Sequence, residues 1–377
     1  KLLDINFLSR TKSYGNDKII IKNQELFNFS SNDYLGLSKN PYLASVSKAW
    51  IKKFGTSLSS SRLVSGNLED IKFIEKDLSK LTENPETLIM SSGFQTNATL
   101  IPAIIGNSLG ERKKTFIFSD KLNHASINFG CSFTNQRVFR YSHLDMNHLE
   151  YLIKKVPKNS QKILISETVF SMDGDVLDID SIRLLAKKYN CFLYLDEAHA
   201  LGVYGKKGFG LSSNKKKIEN EIIVGTFGKA FGSYGSFVSC SKENKEKIIN
   251  SCGGLIYSTV LPPSVLGSIK ASVELMPKLS NLRKRILENS KFLIEKLRKI
   301  NIDVGNSNSH IIPLILGDER ECHYIRDYLI KNNFFVKAIS PPTVPIGRER
   351  IRLSLTATMS KHLITKLLDL ISKYKTS

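Results

Sequence analysis

The sequence predicts an α/β fold built on a large, mainly parallel sheet. Through the middle of the chain, short runs of β-branched and aromatic residues alternate with stretches of helical period, the pattern of strands joined by helical crossovers. A length of 377 residues allows a large core and two or three units. Polar and acidic residues recur where the predicted strands end, the edge at which such sheets collect ligands.

In chain order, residues 1–45 read as an N-terminal arm closing on Ser30-Ser-Asn-Asp-Tyr-Leu-Gly36, and they are expected to pack across the large domain. A large domain over 46–272 carries seven predicted strands, at 87–91, 115–119, 137–141, 162–167, 191–195, 221–224 and 236–239, with helices between most of them. Ser91, Asp120, Glu167, Asp196 and Thr226 then fall at carboxyl ends. Pro262-Pro263 should start a helix, so 264–298 reads as one or two helices broken near Pro277. The smaller α+β domain over 273–377 adds strands at 310–316, 334–339 and 350–355 and an amphipathic closing helix at 360–373.

The formal charge is +20, which invites a nucleic-acid reading. The distribution argues against it, because the lysines are dispersed and the densest cluster, 215–217, lacks interleaved aromatics or any helix-turn-helix or zinc pattern. A basic face can steer a coenzyme A thioester or an acidic carrier protein, but a solvated lysine-rich surface is the simpler account. Cys131, Cys191, Cys240, Cys252 and Cys322 have no C-x-x-C spacing, so free thiols and no metal site are expected. The opening Lys-Leu-Leu-Asp-Ile-Asn has an acid where a secretory leader is apolar, and no run reaches the ~18 apolar residues of a membrane span. The expected setting is cytoplasmic, with no nucleic-acid or membrane partner.

Two segments carry chemistry. Residues 193–199 read Leu-Tyr-Leu-Asp-Glu-Ala-His, and 226–232 read Thr-Phe-Gly-Lys-Ala-Phe-Gly. A strand delivers Asp196 at its end, and glycines leave Lys229 uncrowded, so that an acid and an amine can converge on one flat heteroaromatic ring. Pyridoxal 5'-phosphate needs both: an amine for its aldehyde, and a carboxylate to keep its pyridine nitrogen protonated. Taken singly, Lys229 would be a surface lysine and Asp196 a turn cap; it is the pairing that changes the reading. The P-loop alternative fails because Ile223 and Ala230 occupy positions that its glycine and hydroxyl residue would need.

Other residues fit around that pair. His199 can reach the ring's phenolic oxygen, Thr226 can offer a hydroxyl to a phosphate, and 91–97 (Ser-Ser-Gly-Phe-Gln-Thr-Asn) opens a helix whose amides suit a phosphate dianion as well as a plain serine cap. The ring of His124 can stack on the pyridine, Ser171 can reach the ring oxygen, and Arg350 and Arg352 share one face of a strand, where a buried guanidinium suits a carboxylate. G-x-S-x-G and H-E-x-x-H are absent, so hydrolase and metalloprotease readings have no support.

With these residues, and with Asn-Phe-Ser-Ser-Asn-Asp-Tyr-Leu-Gly-Leu (28–37), His-Ala-Ser (124–126) and Phe-Ser-Met-Asp-Gly-Asp (170–175), the chain from about 28 to 360 resembles the α-oxoamine synthases, fold-type I pyridoxal-phosphate transferases that join an amino acid to an acyl thioester with loss of carbon dioxide. The resemblance implies Lys229 as the Schiff-base lysine, Asp196 as the pyridinium partner, and His124 as the stacking and catalytic histidine. Ser171, His199 and Thr226 become cofactor contacts, with Gly93 and Phe94 at the phosphate. Asn32 and Arg352 fall near the amino-acid carboxylate, Thr343 near the acyl group, and Arg10 on the arm near substrate. Members are dimers with shared sites, which implies that Ser258 and Thr259 reach the neighbour's phosphate.

Within the family, Ile-Tyr-Ser-Thr (256–259) and Ile-Ser-Pro-Pro-Thr-Val-Pro-Ile-Gly (339–347) resemble the branch that condenses L-alanine with pimeloyl-CoA or pimeloyl acyl carrier protein. The rivals are a sister synthase using glycine or serine and a non-catalytic carrier-binding subunit. The chain departs from the family at Ser57-Leu-Ser-Ser-Ser61, where relatives are glycine-rich, and at Ile71, where they commonly carry histidine.

Overall fold

The computed structural model describes residues 9–10, 18–105, 114–214 and 217–376. The side chain of Arg10 and the basic residues 215–216 lie outside the described residues. Two compact units emerge, one from Pro41–Phe170 with Leu177–Ser280, the other from Lys1–Asn40, Ser171–Val176 and Asn281–Ser377.

The first unit holds the seven-stranded sheet. Its spatial order is Glu86–Met90, Ser236–Cys240, Glu221–Thr226, Phe192–Asp196, Gln161–Glu167, Thr115–Asp120 and Arg137–Tyr141. Only Ser236–Cys240 runs against its neighbours, pairing antiparallel with Glu86–Met90 and with Glu221–Thr226. The other six strands therefore point the same way, as expected of a mainly parallel sheet.

Period-two alternation sends successive residues to opposite faces, and both faces are buried under helices, so these strands read as near-continuous apolar runs. Ile163, Ile165, Tyr194, Ile222 and Val224 enter one core with Leu100, Ile101 and Ile104 of the helix Gly93–Ile105. Leu164, Leu193 and Leu195 enter the opposite core with Leu149 and Ile153 of Met146–Lys154 and Ile182 of Ile179–Lys188. Those last two helices start where Asp145 and Asp178 accept the N–H of His148 and Asp180, which satisfies orphan donors of the first turn. Asp196 and Glu167 inherit the faces of Tyr194 and Ile165, two residues back. Both therefore end on the side covered by Gly93–Ile105.

The second unit joins the arm to the C-terminal segment. Lys18–Ile21 pairs antiparallel with Gln24–Asn28, which pairs in parallel with Phe334–Phe335. The arm strands thus share a sheet with a strand from more than three hundred residues away. Leu26 and Phe335 bury together there, and the Ser354 N–H donates to the Phe29 carbonyl. The expected single strand at 334–339 is two: Phe334–Phe335 joins the arm, while Lys337–Ile339 joins Arg350–Ser354 and Ile311–Ile315 in a three-stranded sheet. The turnover occurs at Val336, which is fully buried.

The helical stretch after Pro262 breaks as expected near Pro277, into Pro263–Leu275, a 3-10 turn at Met276–Lys278, and Ser280–Lys299. All five cysteines are buried thiols. Among the described residues no helix is long and apolar enough to cross a membrane.

Candidate active site

Where the parallel strands end, the first unit encloses a cavity of about 190 Å³. Glu167, Asp196 and Thr226, the last residues of three adjacent strands, line it together with Lys229, His199, His124, Gly93 and Phe94. Asp120 also ends a strand but does not line this cavity. Its carboxylate accepts the N–H groups of Leu122 and Leu144 and contacts His143, so it secures two turns.

The strand Glu221–Thr226 stops in a tight turn that presents Lys229. The Thr226 hydroxyl donates to the Gly235 carbonyl at 3.0 Å and accepts the Gly228 N–H at 3.2 Å, so its role in the fold is to fix this turn. Lys229 Nζ lies 2.8 Å from His199 Nε2. His199 sits on the turn after Asp196, which Glu197 anchors. The buried Glu197 carboxylate accepts the N–H groups of Leu211 and Ser212 and the Thr168 hydroxyl. Burial pushes the Glu197 carboxyl above its ordinary range, and those hydrogen bonds oppose the shift.

Asp196 is 5% exposed. Its Oδ1 accepts the Ala198 N–H at 2.9 Å and its Oδ2 accepts Asn97 Nδ2 at 2.7 Å. On the next strand, in register with it, stands Glu167, whose Oε1 takes the His124 backbone N–H at 2.6 Å. Burial first and then the neighbouring Asp196 charge push the Glu167 carboxyl up to about 8. His124 caps the helix Ala125–Ser132, its Nδ1 accepting the Ser126 N–H. Burial lowers its pKa, Asp196 raises it and Lys229 lowers it, with burial dominant.

The helix Gly93–Ile105 aims its N-terminus at the same cavity. Ser92 takes the N–H groups of Gln95 and Thr96, and those of Gly93 and Phe94 have no intrahelical acceptor. A Cβ at Gly93 would stand 3.8 Å from Thr226 Cβ and so occupy the gap between these two walls. The cavity therefore combines a dipolar, amide-lined end suited to a phosphate, a buried carboxylate suited to a cationic ring nitrogen, and an amine beside an imidazole. These residues fit pyridoxal phosphate.

Other expected site residues lie elsewhere. Ser258 and Thr259 line a separate small crevice with Arg62 and Ser91; Gln95 Nε2 donates to Ser258 Oγ, and Thr259 bridges to Ser61. Asn32, Ser171, Thr343 and Arg352 belong to the second unit. There Arg352 is buried, donating from Nε to the Ser171 carbonyl, from Nη1 to Ser354 Oγ at 2.6 Å and from Nη2 to Asn32 Oδ1 at 3.3 Å. Arg350 Nη1 pairs with Asp173 Oδ1 at 2.7 Å. Thr343 is exposed in a turn, its N–H bonded to the Ser340 carbonyl. Of Arg10, only the backbone pairing with Ile19 is described.

Fold and site together define a pyridoxal-phosphate-dependent transferase of fold type I. Known proteins bear this out. Residues 24–371 match the aminotransferase class I and II family. A Paramagnetospirillum magneticum protein provisionally named 8-amino-7-oxononanoate synthase is 41% identical over 355 residues, 94% of this chain and 90% of its own. The Gluconacetobacter diazotrophicus 8-amino-7-oxononanoate synthase is 37% identical over 346 residues, 91% and 86% of the two chains. Among solved structures, the Francisella tularensis 8-amino-7-oxononanoate synthase superposes with a TM-score of 0.79 at 26% identity, covering 93% of this chain and 98% of that one. The Sphingomonas wittichii serine palmitoyltransferase shares the fold at 24% identity and a TM-score of 0.90, covering 97% and 91%. The chain belongs to the aminotransferase class I and II family, within its 8-amino-7-oxononanoate synthase branch, and is a pyridoxal-phosphate-dependent acyltransferase.

Proposed function

We propose that the chain condenses L-alanine with a pimeloyl thioester, on coenzyme A or acyl carrier protein, to give 8-amino-7-oxononanoate, carbon dioxide and the free thiol in biotin synthesis. The observation that carries the proposal is the convergence of Lys229, His199, Asp196 and His124 on one cavity in a chain whose relatives bear this name. When bound, pyridoxal phosphate supplies an aldehyde and an electron-accepting ring.

Lys229 provides the amine that the cofactor needs and, once released, the base that takes the α-proton of alanine. The His199 ring lies 2.8 Å from Nζ, close enough to hand a proton to it or take one from it. Asp196 would keep a proton on the pyridine nitrogen. His124 would lie against the cofactor ring when it is bound and can donate a hydrogen bond to the oxygen that gains charge as the thioester carbonyl is attacked. Gly93 and Phe94 would hold the phosphate through their N–H groups, Thr226 would join them by turning its hydroxyl from the Gly235 carbonyl, and Ser171 would meet the phenolic oxygen.

Arg352 and Asn32 receive the alanine carboxylate. Each Arg352 nitrogen donates within the fold, the Tyr34 hydroxyl is a further partner of the guanidinium, and its planar fork of donors suits a carboxylate. Thr343 serves the acyl donor, and Arg10 is assigned to substrate binding. In a homodimer, Ser258 and Thr259 complete the partner's phosphate site.

Spectral titration of the purified holoenzyme with glycine, alanine and serine, followed by a panel of acyl thioesters with mass detection of the product, tests the reading. Alanine with pimeloyl thioester should give the highest kcat/KM. A preference for serine or glycine with another acyl group would replace it.

A further inference from the structure

Three buried polar residues that the mechanism leaves unused join the two sides of the active site. Asn97, one turn into the helix Gly93–Ile105, has all of its amide committed. Its Oδ1 accepts the Tyr194 hydroxyl at 2.6 Å, and its Nδ2 donates to Asp196 Oδ2 at 2.7 Å and to Ser126 Oγ at 3.0 Å. Tyr194 and Asp196 lie two apart on one strand and so share a face, which lets a single amide span both. The Asp196 carboxylate can only accept, so the atom facing it is Nδ2 and the Tyr194 hydroxyl is left to donate to Oδ1; this fixes which end of the amide is which.

The direction propagates. Ser126 Oγ receives a hydrogen from Asn97, so its own hydrogen is available to His124 Nδ1, 2.8 Å away. The same Nδ1 also accepts the Ser126 backbone N–H at 3.2 Å. A nitrogen accepting two hydrogen bonds carries no proton, so the proton of the neutral ring is on Nε2.

We infer that Asn97 and Ser126 are positioning residues, which hold His124 as its Nε2–H tautomer and lock the Asp196 carboxylate in its orientation through one directional hydrogen-bond chain that starts at Tyr194. The inference rests on the roles proposed above for His124 and Asp196. The tautomer matters because only an imidazole with hydrogen on Nε2 can cap the helix through Nδ1 and still donate outward. The titratable groups facing His124 are Asp196 and Lys229, with Glu167 on its backbone N–H, and burial already lowers its pKa.

Side-chain 15N–1H correlation spectra of 15N-histidine-labelled holoenzyme read the tautomer directly. With seven histidines in the chain, His124 is assigned by the signal lost in H124Q. The wild type should show a bare Nδ1 and a protonated Nε2 from pH 6 to 8. In N97D the aspartate accepts the Ser126 hydroxyl instead of donating to it, so Ser126 turns away and leaves Nδ1 only the Ser126 backbone N–H at 3.2 Å, which weakens the hold on the Nε2–H form. The His124 midpoint should then rise by about one unit.

S126A leaves Nδ1 the backbone N–H alone, so a minor Nδ1–H population should appear and kcat fall roughly 10–100-fold while KM for the amino acid stays within about threefold. A wild-type His124 protonated on Nδ1 overturns the inference, and so does an unchanged tautomer and midpoint in both variants. If N97D does not fold, the wild-type spectrum and S126A decide. The tautomer is read without substrate, so absence of alanine condensation would count against the proposed reaction alone.

Discussion

Lys229 Nζ and His199 Nε2 stand 2.8 Å apart, within hydrogen-bonding reach of one another. The lysine amine thus meets a ring carried on the turn after Asp196. H199F keeps the ring volume and removes both nitrogens. It should bind pyridoxal phosphate, with visible absorbance retained, yet lose about 10²–10⁴ in kcat, the range expected when an acid–base partner is deleted. K229A should show no turnover, and borohydride should no longer fix pyridoxal to the chain. Residual turnover near the wild-type rate in either variant would contradict the assigned roles.

Glu167 sets a pH dependence whose sign follows from its environment. Burial and the adjacent Asp196 raise its carboxyl from 4.5 to about 8, so the folded state keeps a proton that the unfolded chain releases earlier. Its contribution to stability is fully present below about pH 4.5 and is lost as pH rises towards 8. E167Q mimics the protonated form and still accepts the His124 N–H. Thermal melts of the two proteins should therefore diverge between pH 5 and 8, with E167Q gaining relative to wild type as pH rises. A constant difference in Tm across that window would show that Glu167 ionises normally.

The parts of the site legible in the sequence were those that local pattern controls. Asp196 ends an apolar run and Lys229 follows a second one through glycine, so the strand ends and their converging cargo could be read from order alone. Asn97 could not. Its partners Asp196 and Tyr194 are 99 and 97 residues away, and a polar residue inside an apolar helix gives no sign of what it will meet. Glu167 was visible as a strand end, but its neutral state depends on register with Asp196. The same limit applies to the fold. Period-two pattern located residues 334–339 as extended but carries no information that Val336 divides them between two sheets, one of them completed by the arm.

Arg352 offers a test of geometry against charge. It meets Ser171, Ser354 and Asn32 through three different nitrogens, a fork that a single ammonium cannot reproduce. R352K should therefore behave like a loss of function at this site. The dissociation constant for alanine, followed by the change in cofactor absorbance, should rise at least about tenfold, since hydrogen bonds to charged groups are worth roughly 1.5–3 kcal/mol. Full retention of alanine affinity in R352K would remove Arg352 from carboxylate binding.

The loop that carries His199 is sensitive at a glycine far from the chemistry in sequence. Gly210 has φ +90°, and a Cβ there would stand 2.5 Å from Glu197 Oε2, the same carboxylate that gathers the Leu211 and Ser212 amides. G210A thus combines left-handed strain with overpacking against a group that cannot move without losing its hydrogen bonds, a cost of about 2–4 kcal/mol. Gly55 has φ +81° with nothing within 4 Å, so G55A isolates the strain alone at about 1 kcal/mol. Denaturant melts of the two variants separate the contributions. Equal losses would mean that the Glu197 carboxylate yields to the methyl group, and that the loop bearing His199 is held by something other than this buried acid.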